Sequence, residues 1–283
     1  MTTTTHSKDI ATRQRFAFGE NWSNFLHTLD EERIMEADRS LKQMLEIESL
    51  KGKRFIDVGS GSGLFSLAAR RLGAEVFSFD YDPQSVACTQ ELKHRFFPDD
   101  QAWVIEEGSA LDNNYLAGLG QFDVVYSWGV LHHTGEMWQA IGNVSRLCKA
   151  NSLLFIAIYN NMGGASQRWT KIKKTYCQLP QWGKVSFALM VMIPILVRSF
   201  MIYAIQGKGI EFFSEKYTYK TKSGMSWWYD QIDWIGGYPY EDAKPEEIFR
   251  FLYKKGFLLR NMTTCGGGIG CNQFVFQKDA LVS

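Results

Sequence analysis

From Arg54 onward, apolar residues gather into short runs separated by longer stretches with helical spacing. Arg54 to Val58 (RFIDV), Glu75 to Asp80 (EVFSFD), Ala102 to Glu106, Phe122 to Ser127 (FDVVYS) and Ser152 to Tyr159 (SLLFIAIY) predict five strands. Gly63 to Leu72, Pro83 to Phe96 and Met137 to Cys148 predict the helices between them, with Pro83 just inside a first turn. Short apolar strands alternating with helices specify an α/β fold, a parallel sheet with helices on both faces. Upstream, Ser23 to Leu29 and Glu31 to Leu50 predict leader helices, the second with Ile34, Met35, Leu41, Met44, Leu45 and Ile47 near helical spacing. From Asn160 to Tyr240 the period is lost. It resumes with a helix from Pro245 to Lys255, stopped by Gly256, and with strands Phe257 to Met262 and Asn272 to Phe276. A turn holding Gly266, Gly267, Gly268 and Gly270 joins those strands into an antiparallel hairpin. The expected plan is a helical leader over 1–50, a core over 51–160, an insert over 161–243 and a core completion over 244–283.

Composition narrows the classes of partner. The 283 residues carry 31 Lys and Arg against 30 Asp and Glu, a net charge of +1, so no global field favours nucleic acid. Aromatic residues reach 14%, which calls for a large core or an apolar ligand pocket. The five cysteines, Cys88, Cys148, Cys177, Cys265 and Cys271, are odd in number and lack zinc-ribbon spacing, so reduced thiols are expected. Cys265 and Cys271 are close enough in sequence to face each other across the hairpin turn. No metal ligand set is expected. The first residues, Met1 to Asp9, contain no apolar stretch of a secretory signal, so a cytoplasmic compartment is expected. Phe187 to Ile205 complicates this: of its 19 residues only Pro194, Arg198 and Ser199 are not apolar. The length reaches that of a membrane span, whereas Arg198 and Pro194 argue against one. A cap helix, an interfacial helix with peripheral membrane contact through 187–205, and a span all remain open. Oligomeric state has no signature in the sequence.

Asp57-Val-Gly59-Ser60-Gly61-Ser-Gly63 lies where a strand runs into a helix, a place where small residues let backbone amides approach a negative group. The spacing is G-x-G-x-G, which fits the dinucleotide pattern G-x-G-x-x-G poorly. Asp80 ends the next strand, where a carboxylate can accept both hydroxyls of a ribose or else cap the helix at Pro83. Asp82, directly before Pro83, is the better cap. Together with Phe79 to Pro83, Gly108 to Asp112 and Phe122 to Thr134, this loop resembles the successive motifs of class I S-adenosylmethionine-dependent methyltransferases, over residues 53 to 160. The nearest branch is the small-molecule one containing the ubiquinone-pathway O-methyltransferases. That resemblance implies a Rossmann-like, seven-stranded, mostly parallel sheet with the hairpin as its last two strands. It implies S-adenosylmethionine as cofactor, with Asp57, Gly59, Ser60, Gly61 and Gly63 forming the loop and its methionine-facing wall. It further implies Asp80 on the ribose diol, Tyr81 on adenine, and Ser109 and Ala110 at the adenine edge. Ser127 and Trp128 would close over the sulfonium. Many relatives carry Asp where Ser109 stands, which leaves that contact to Ser109 or Asp112. In the leader, Arg15 to Trp22 resembles a lid, with Phe18 or Trp22 as cover or as plain packing.

Methyl transfer to oxygen asks for an aligned nucleophile, a base and a dry site. Imidazole is the side chain suited to taking a proton near neutral pH. His132 and His133 directly follow the fourth strand, and the resemblance favours His133 as the base; the alternative is that both merely fix the loop before a helix at Thr134. The acceptor pocket is expected from Tyr159 and from Trp227, Trp228, Tyr229, Asp230, Tyr238 and Tyr240 in the insert, whose rings with polar tips suit an apolar or aromatic small molecule. Methylation of a small thiol, which needs less help from a base, is the alternative. A membrane-associated, non-catalytic cofactor binder is the other. Nothing in the sequence supplies a base-flipping motif or a basic stripe, so a nucleic-acid partner is not expected.

Overall fold

A computed structural model describes residues 15–16, 18–26, 29–212, 214, 227–266, 268 and 270–280. The leader helices are α1 (Gly19–Leu26) and α2 (Glu31–Leu45). Strands and helices then alternate through β1 (Arg54–Val58), α3 (Leu64–Arg71), β2 (Glu75–Asp80), α4 (Pro83–Phe96), β3 (Trp103–Glu107), α5 (Asn113–Gly118), β4 (Phe122–Trp128), α6 (Met137–Ser145) and β5 (Cys148–Tyr159). The insert contributes α7 (Gly164–Gln178), α8 (Gln181–Ile205) and α9 (Trp227–Gly236). The chain closes with α10 (Pro245–Tyr253), β6 (Phe257–Thr263) and β7 (Cys271–Lys278).

The seven strands form one sheet in the order β3-β2-β1-β4-β5-β7-β6. β1 to β5 run parallel, and β7 pairs antiparallel with both β5 and β6. Successive side chains of a strand point to opposite faces, and β1 shows it. Ile56 and Val58 join the core shared with α6 and α10 (Ala140, Ile141, Ile248). Phe55 joins the core shared with α2, α3 and α4 (Ile34, Leu41, Leu67, Leu92). Burying each such large apolar side chain is worth roughly 1.5–3 kcal/mol, which is why both faces must be covered. The result is the expected α/β, Rossmann-like sheet with its terminal hairpin.

Backbone contacts divide the chain into two compact units, 17–167 with 239–283, which carries the sheet, and 1–16 with 168–238. Several element boundaries differ from the expected ones. Among its described residues the insert holds α7 and α9 besides the apolar helix that the hydropathy pattern suggested, because α7 keeps its Trp169, Ile172, Tyr176 and Cys177 stripe among many cations. The helix expected to reach Cys148 ends at Ser145, and β5 begins at Cys148, with Asn151 at φ +62° bending the strand. α2 stops at Leu45, where Glu46 turns left-handed, short of Leu50. No helix begins at Thr134: a 3-10 turn, Leu131–His133, precedes α6. Cys265 and Cys271 are free thiols.

Candidate functional site

β1 delivers the chain into the glycine loop, where Gly59, Gly61 and Gly63 stand at φ +80°, +55° and +79°. Glycine enters that region without a side-chain penalty. Space is short as well. A Cβ on Gly59 would lie 2.3 Å from Val130, and one on Gly61 would lie 3.0 Å from the indole of Trp22, so α1 lays a ring over the loop. Ser60 and Thr89 exchange a hydrogen bond of 2.9 Å between hydroxyls, tying the loop to α4.

Asp57 supports the loop from below. It is 2% exposed and accepts from the Ser66 hydroxyl at 2.6 Å. Ser66 and Ser78 hydroxyls lie 2.7 Å apart, and the Trp103 indole donates to Ser78 at 2.9 Å. An indole N–H can only donate, so the protons run in one direction, from Trp103 through Ser78 and Ser66 to the carboxylate. Burial pushes the Asp57 carboxyl up to about 7, with the Ser66 hydroxyl opposing and Asp80 adding to the rise.

Asp80 ends β2 beside the loop. Its Oδ2 accepts from the Gly61 amide and its Oδ1 from the Asp82 amide, both at 2.9 Å. The Tyr81 amide is a third backbone donor to this carboxylate, which can accept about four hydrogen bonds in all. Burial raises this carboxyl to about 6, against the amides of Asp82 and Gly61 that hold it down. Asp82 is the cap of α4, accepting from Gln84 at 2.9 Å, while its other oxygen accepts from Gly19 at the start of α1 at 2.8 Å. Asp80 is therefore not spent on the helix.

Tyr81 is half-buried next to it. After β3, Ser109 accepts from the Leu111 amide at 3.2 Å and Ala110 is buried, its carbonyl receiving the Asn143 side chain at 3.0 Å. Asp112 caps α5, its Oδ1 accepting from the Asn114 and Tyr115 amides, both at 3.0 Å. At the end of β4, Ser127 donates to the Val58 carbonyl at 2.8 Å, and Trp128 is exposed. The glycine loop, Asp80, Tyr81, Ser109, Ser127 and Trp128 thus share the carboxyl edge of the sheet, around the point where strand order reverses between β1 and β4. Ligands of open α/β sheets bind at such a point.

His132 and His133 sit in the 3-10 turn after β4, and both are buried. His133 Nδ1 lies 2.6 Å from the Pro239 carbonyl. A carbonyl only accepts, so Nδ1 carries the proton of the neutral ring and Nε2 is the basic nitrogen. His132 is the reverse: its Nδ1 accepts from the Tyr159 amide at 3.4 Å, which leaves the proton on Nε2. Rings surround the pair. Phe18 lies 4.8 Å from His133, Tyr159 lies 3.9 Å from His132, and Tyr240 lies 5.2 Å from Tyr159. Burial, with Asp242 adding to it, holds the Tyr240 phenol well above its usual range, so it stays a neutral donor.

Of the expected pocket, Tyr159 and Tyr240 therefore join the histidines. Tyr238 falls in the other compact unit. The backbone of Trp227 to Asp230 forms the first turn of α9, while the side chains of Trp227, Trp228, Tyr229 and Asp230 lie outside the described parts.

Apart from Tyr240, the segment 239–243 is what sequence reading missed. Besides the Pro239 carbonyl, the Glu241 amide donates to His132 at 2.9 Å and the Glu241 carboxylate accepts from Met137 at 2.9 Å, holding the start of α6. Ala243 exchanges backbone bonds with Tyr159 and Asn161. Backbone partners a hundred residues away leave no mark in a local pattern. The glycine turn also finds its use here: the carbonyls of Gly268 and Gly270 accept from Asn160, whose Oδ1 accepts from Asn272 at 3.0 Å.

Comparison with known proteins adds the family. A family model described as a methyltransferase domain matches residues 29–232. A ubiquinone biosynthesis O-methyltransferase of Xanthomonas oryzae pv. oryzae is 31% identical over 118 residues, 41% of this chain and 47% of that one. A ribosomal protein L11 methyltransferase of Tolumonas auensis is 42% identical over 60 residues, 21% of this chain and 20% of that one. The chain thus spans less than half the length of these curated relatives. Among solved structures, magnesium protoporphyrin IX methyltransferase from Synechocystis PCC 6803 with bound SAH superposes with a TM-score of 0.51 at 15% identity, covering 87% of this chain and 83% of that one. An O-methyltransferase family protein from Burkholderia thailandensis gives 0.55 at 13% identity, over 99% and 64%. At these identities the likeness is one of fold.

Proposed function

Since the chain belongs to the methyltransferase-domain family, in the class I S-adenosylmethionine-dependent group, we propose that it moves a methyl group from that cofactor to an oxygen of a small, hydrophobic or aromatic acceptor. The residues at the sheet edge fit the cofactor. The left-handed glycine loop presents backbone amides at the carboxyl end of β1, and beside it Asp80, fixed by the amides of Gly61 and Asp82, offers a carboxylate acceptor for a sugar hydroxyl. Gly59, Ser60 and Gly61 would hold the amino-acid end, Asp80 the ribose, and Tyr81, Ser109 and Ala110 the base. When bound, the cofactor supplies an activated methyl group and a neutral thioether leaving group.

The chain's own part is to orient the acceptor, keep water out and take a proton. His133 is assigned the last of these, through Nε2. The observation that carries the reading is the Pro239 carbonyl on Nδ1, which holds the ring in the tautomer a base requires. Pro239 acts as a positioning residue. Phe18, Tyr159 and Tyr240 exclude water around that imidazole and offer apolar faces to an aromatic acceptor.

The test is to incubate the full chain with methyl-labelled cofactor and a panel of phenols, quinols, thiols and carboxylic acids. Label is expected on a phenol or quinol oxygen, and His133→Ala should lower kcat by about several hundredfold, within the range general bases contribute. Cofactor affinity should stay unchanged. Label on a thiol, with turnover barely altered by His133→Ala, would overturn the oxygen assignment.

A further inference from the structure

We propose that α8 seats its uncovered face on an anionic lipid bilayer, lying in the interface without crossing it. The helix is apolar on all sides, which suits a helix whose surroundings are apolar all round. Its unit supplies only part of those surroundings. Before Pro194, Phe187, Ala188, Val191 and Met192 pack with Tyr176, Ile232 and Ile235. After Pro194, Phe200 and Tyr203 pack on Phe212 instead. Down the other side runs a stripe of large apolar side chains: Trp182 is 85% exposed, Met190 63%, Val197 56% and Ile205 82%, with Val185 and Ile193 between them. Together with their exposed neighbours on α8 they offer on the order of 1,000 Å² to solvent, against about 300–600 Å² for the largest apolar patch of an ordinary monomer. Among the described residues nothing covers this stripe.

Charge selects the occupant. From Met137 to Ile210 the sequence contains no Asp or Glu, while Lys171, Lys174, Lys184, Arg198 and Lys208 fall on or beside α7 and α8, Lys184 over the Tyr176 ring and Lys208 3.6 Å from Glu211, the first acidic residue after the run. A protein partner of ordinary composition has no need of so one-sided a surface; a leaflet rich in anionic headgroups does. Trp182 near one end and Tyr203 near the other are the ring types that settle at headgroup depth. At 25 residues the helix is about 37 Å long, enough to cross a bilayer. Crossing would pull Ala188 and Met192, both buried, out of the unit's own core. Lying flat satisfies both sides at once.

The experiment is co-sedimentation of the full chain with vesicles of phosphatidylcholine alone and with about 30% phosphatidylglycerol. Binding is expected to the anionic vesicles, to weaken with salt, and to be released by alkaline carbonate. Met190→Glu with Val197→Glu should weaken it at least tenfold without changing the thermal midpoint. Arg198→Gln with Lys208→Gln, which leaves the apolar stripe intact, should weaken it by about fivefold per charge removed. No partition into anionic vesicles would overturn the proposal, as would equal binding to neutral ones. Retention after carbonate would mean a span. A dimer in light scattering that Met190→Glu with Val197→Glu renders monomeric would mean that a second copy covers the stripe.

Discussion

Replacing Asp57 by Asn should change how the stability of this protein depends on pH. The carboxyl lies beneath the glycine loop at 2% exposure, and burial lifts it from 3.8 to about 7. A folded-state value above the unfolded one means that the native protein binds the extra proton. Its stabilising contribution is therefore complete below about pH 4 and is lost as pH rises through 7. Three units at about 1.4 kcal/mol each give about 4 kcal/mol over that window. Asn is the same size, its oxygen still accepts the Ser66 proton, and it does not titrate. Its amide N–H2 adds a donor without an assigned partner, costing about 1–3 kcal/mol at every pH. Urea denaturation of both proteins from pH 4.5 to 8 provides the measurement. Over that range the wild type should lose about 3 kcal/mol relative to Asp57→Asn, starting the more stable of the two. Two parallel curves would refute the reasoning, because they would mean that this carboxyl ionises in the folded protein as it does in the unfolded chain.

Other expectations follow from the same site. Asp80→Ala removes the acceptor for a sugar diol and the anchors of the Gly61 and Asp82 amides, so cofactor affinity measured by titration calorimetry should fall on the order of 100-fold. A change under threefold would separate Asp80 from the ligand. Gly63→Ala forces a Cβ to within 3.0 Å of the Thr89 backbone at φ +79° and should cost about 2–4 kcal/mol in denaturant midpoint analysis. Gly52→Ala, at φ +71° in open space, is the control and should cost about 1 kcal/mol. Similar losses in the two variants would mean that the Thr89 clash relaxes.

The sheet was legible because its central strands, β1, β4 and β5, are buried on both faces and its helices carry their own signals. Asp82 before Pro83 marked the start of α4, and the glycine loop marked the end of β1. The insert was harder. In α8 both faces are apolar, so amphipathic period, the usual helical signature, is weak there, and Pro194 interrupts it. In α7 cations interleave the buried stripe. The polar chain from Trp103 to Asp57 was invisible for another reason: Ser66 and Ser78 look like ordinary small residues until the register of β1 and β2 sets Asp57 beside Ser78 and α3 brings Ser66 to both. The histidines could be picked out from the sequence, but their tautomers could not, since each depends on a backbone atom supplied by a distant turn or strand end.

That dependence has a temporal side. Pro239 follows His133 by 106 positions, and the entire excursion through the insert lies between them. On the ribosome, β1 to β4 emerge and can pair well before the carbonyl that orients the imidazole has been synthesised. β7, which enters the sheet between β5 and β6, arrives later still. A nascent chain can thus complete the glycine loop and Asp80 while the imidazole we propose as the base still lacks the carbonyl that fixes its tautomer.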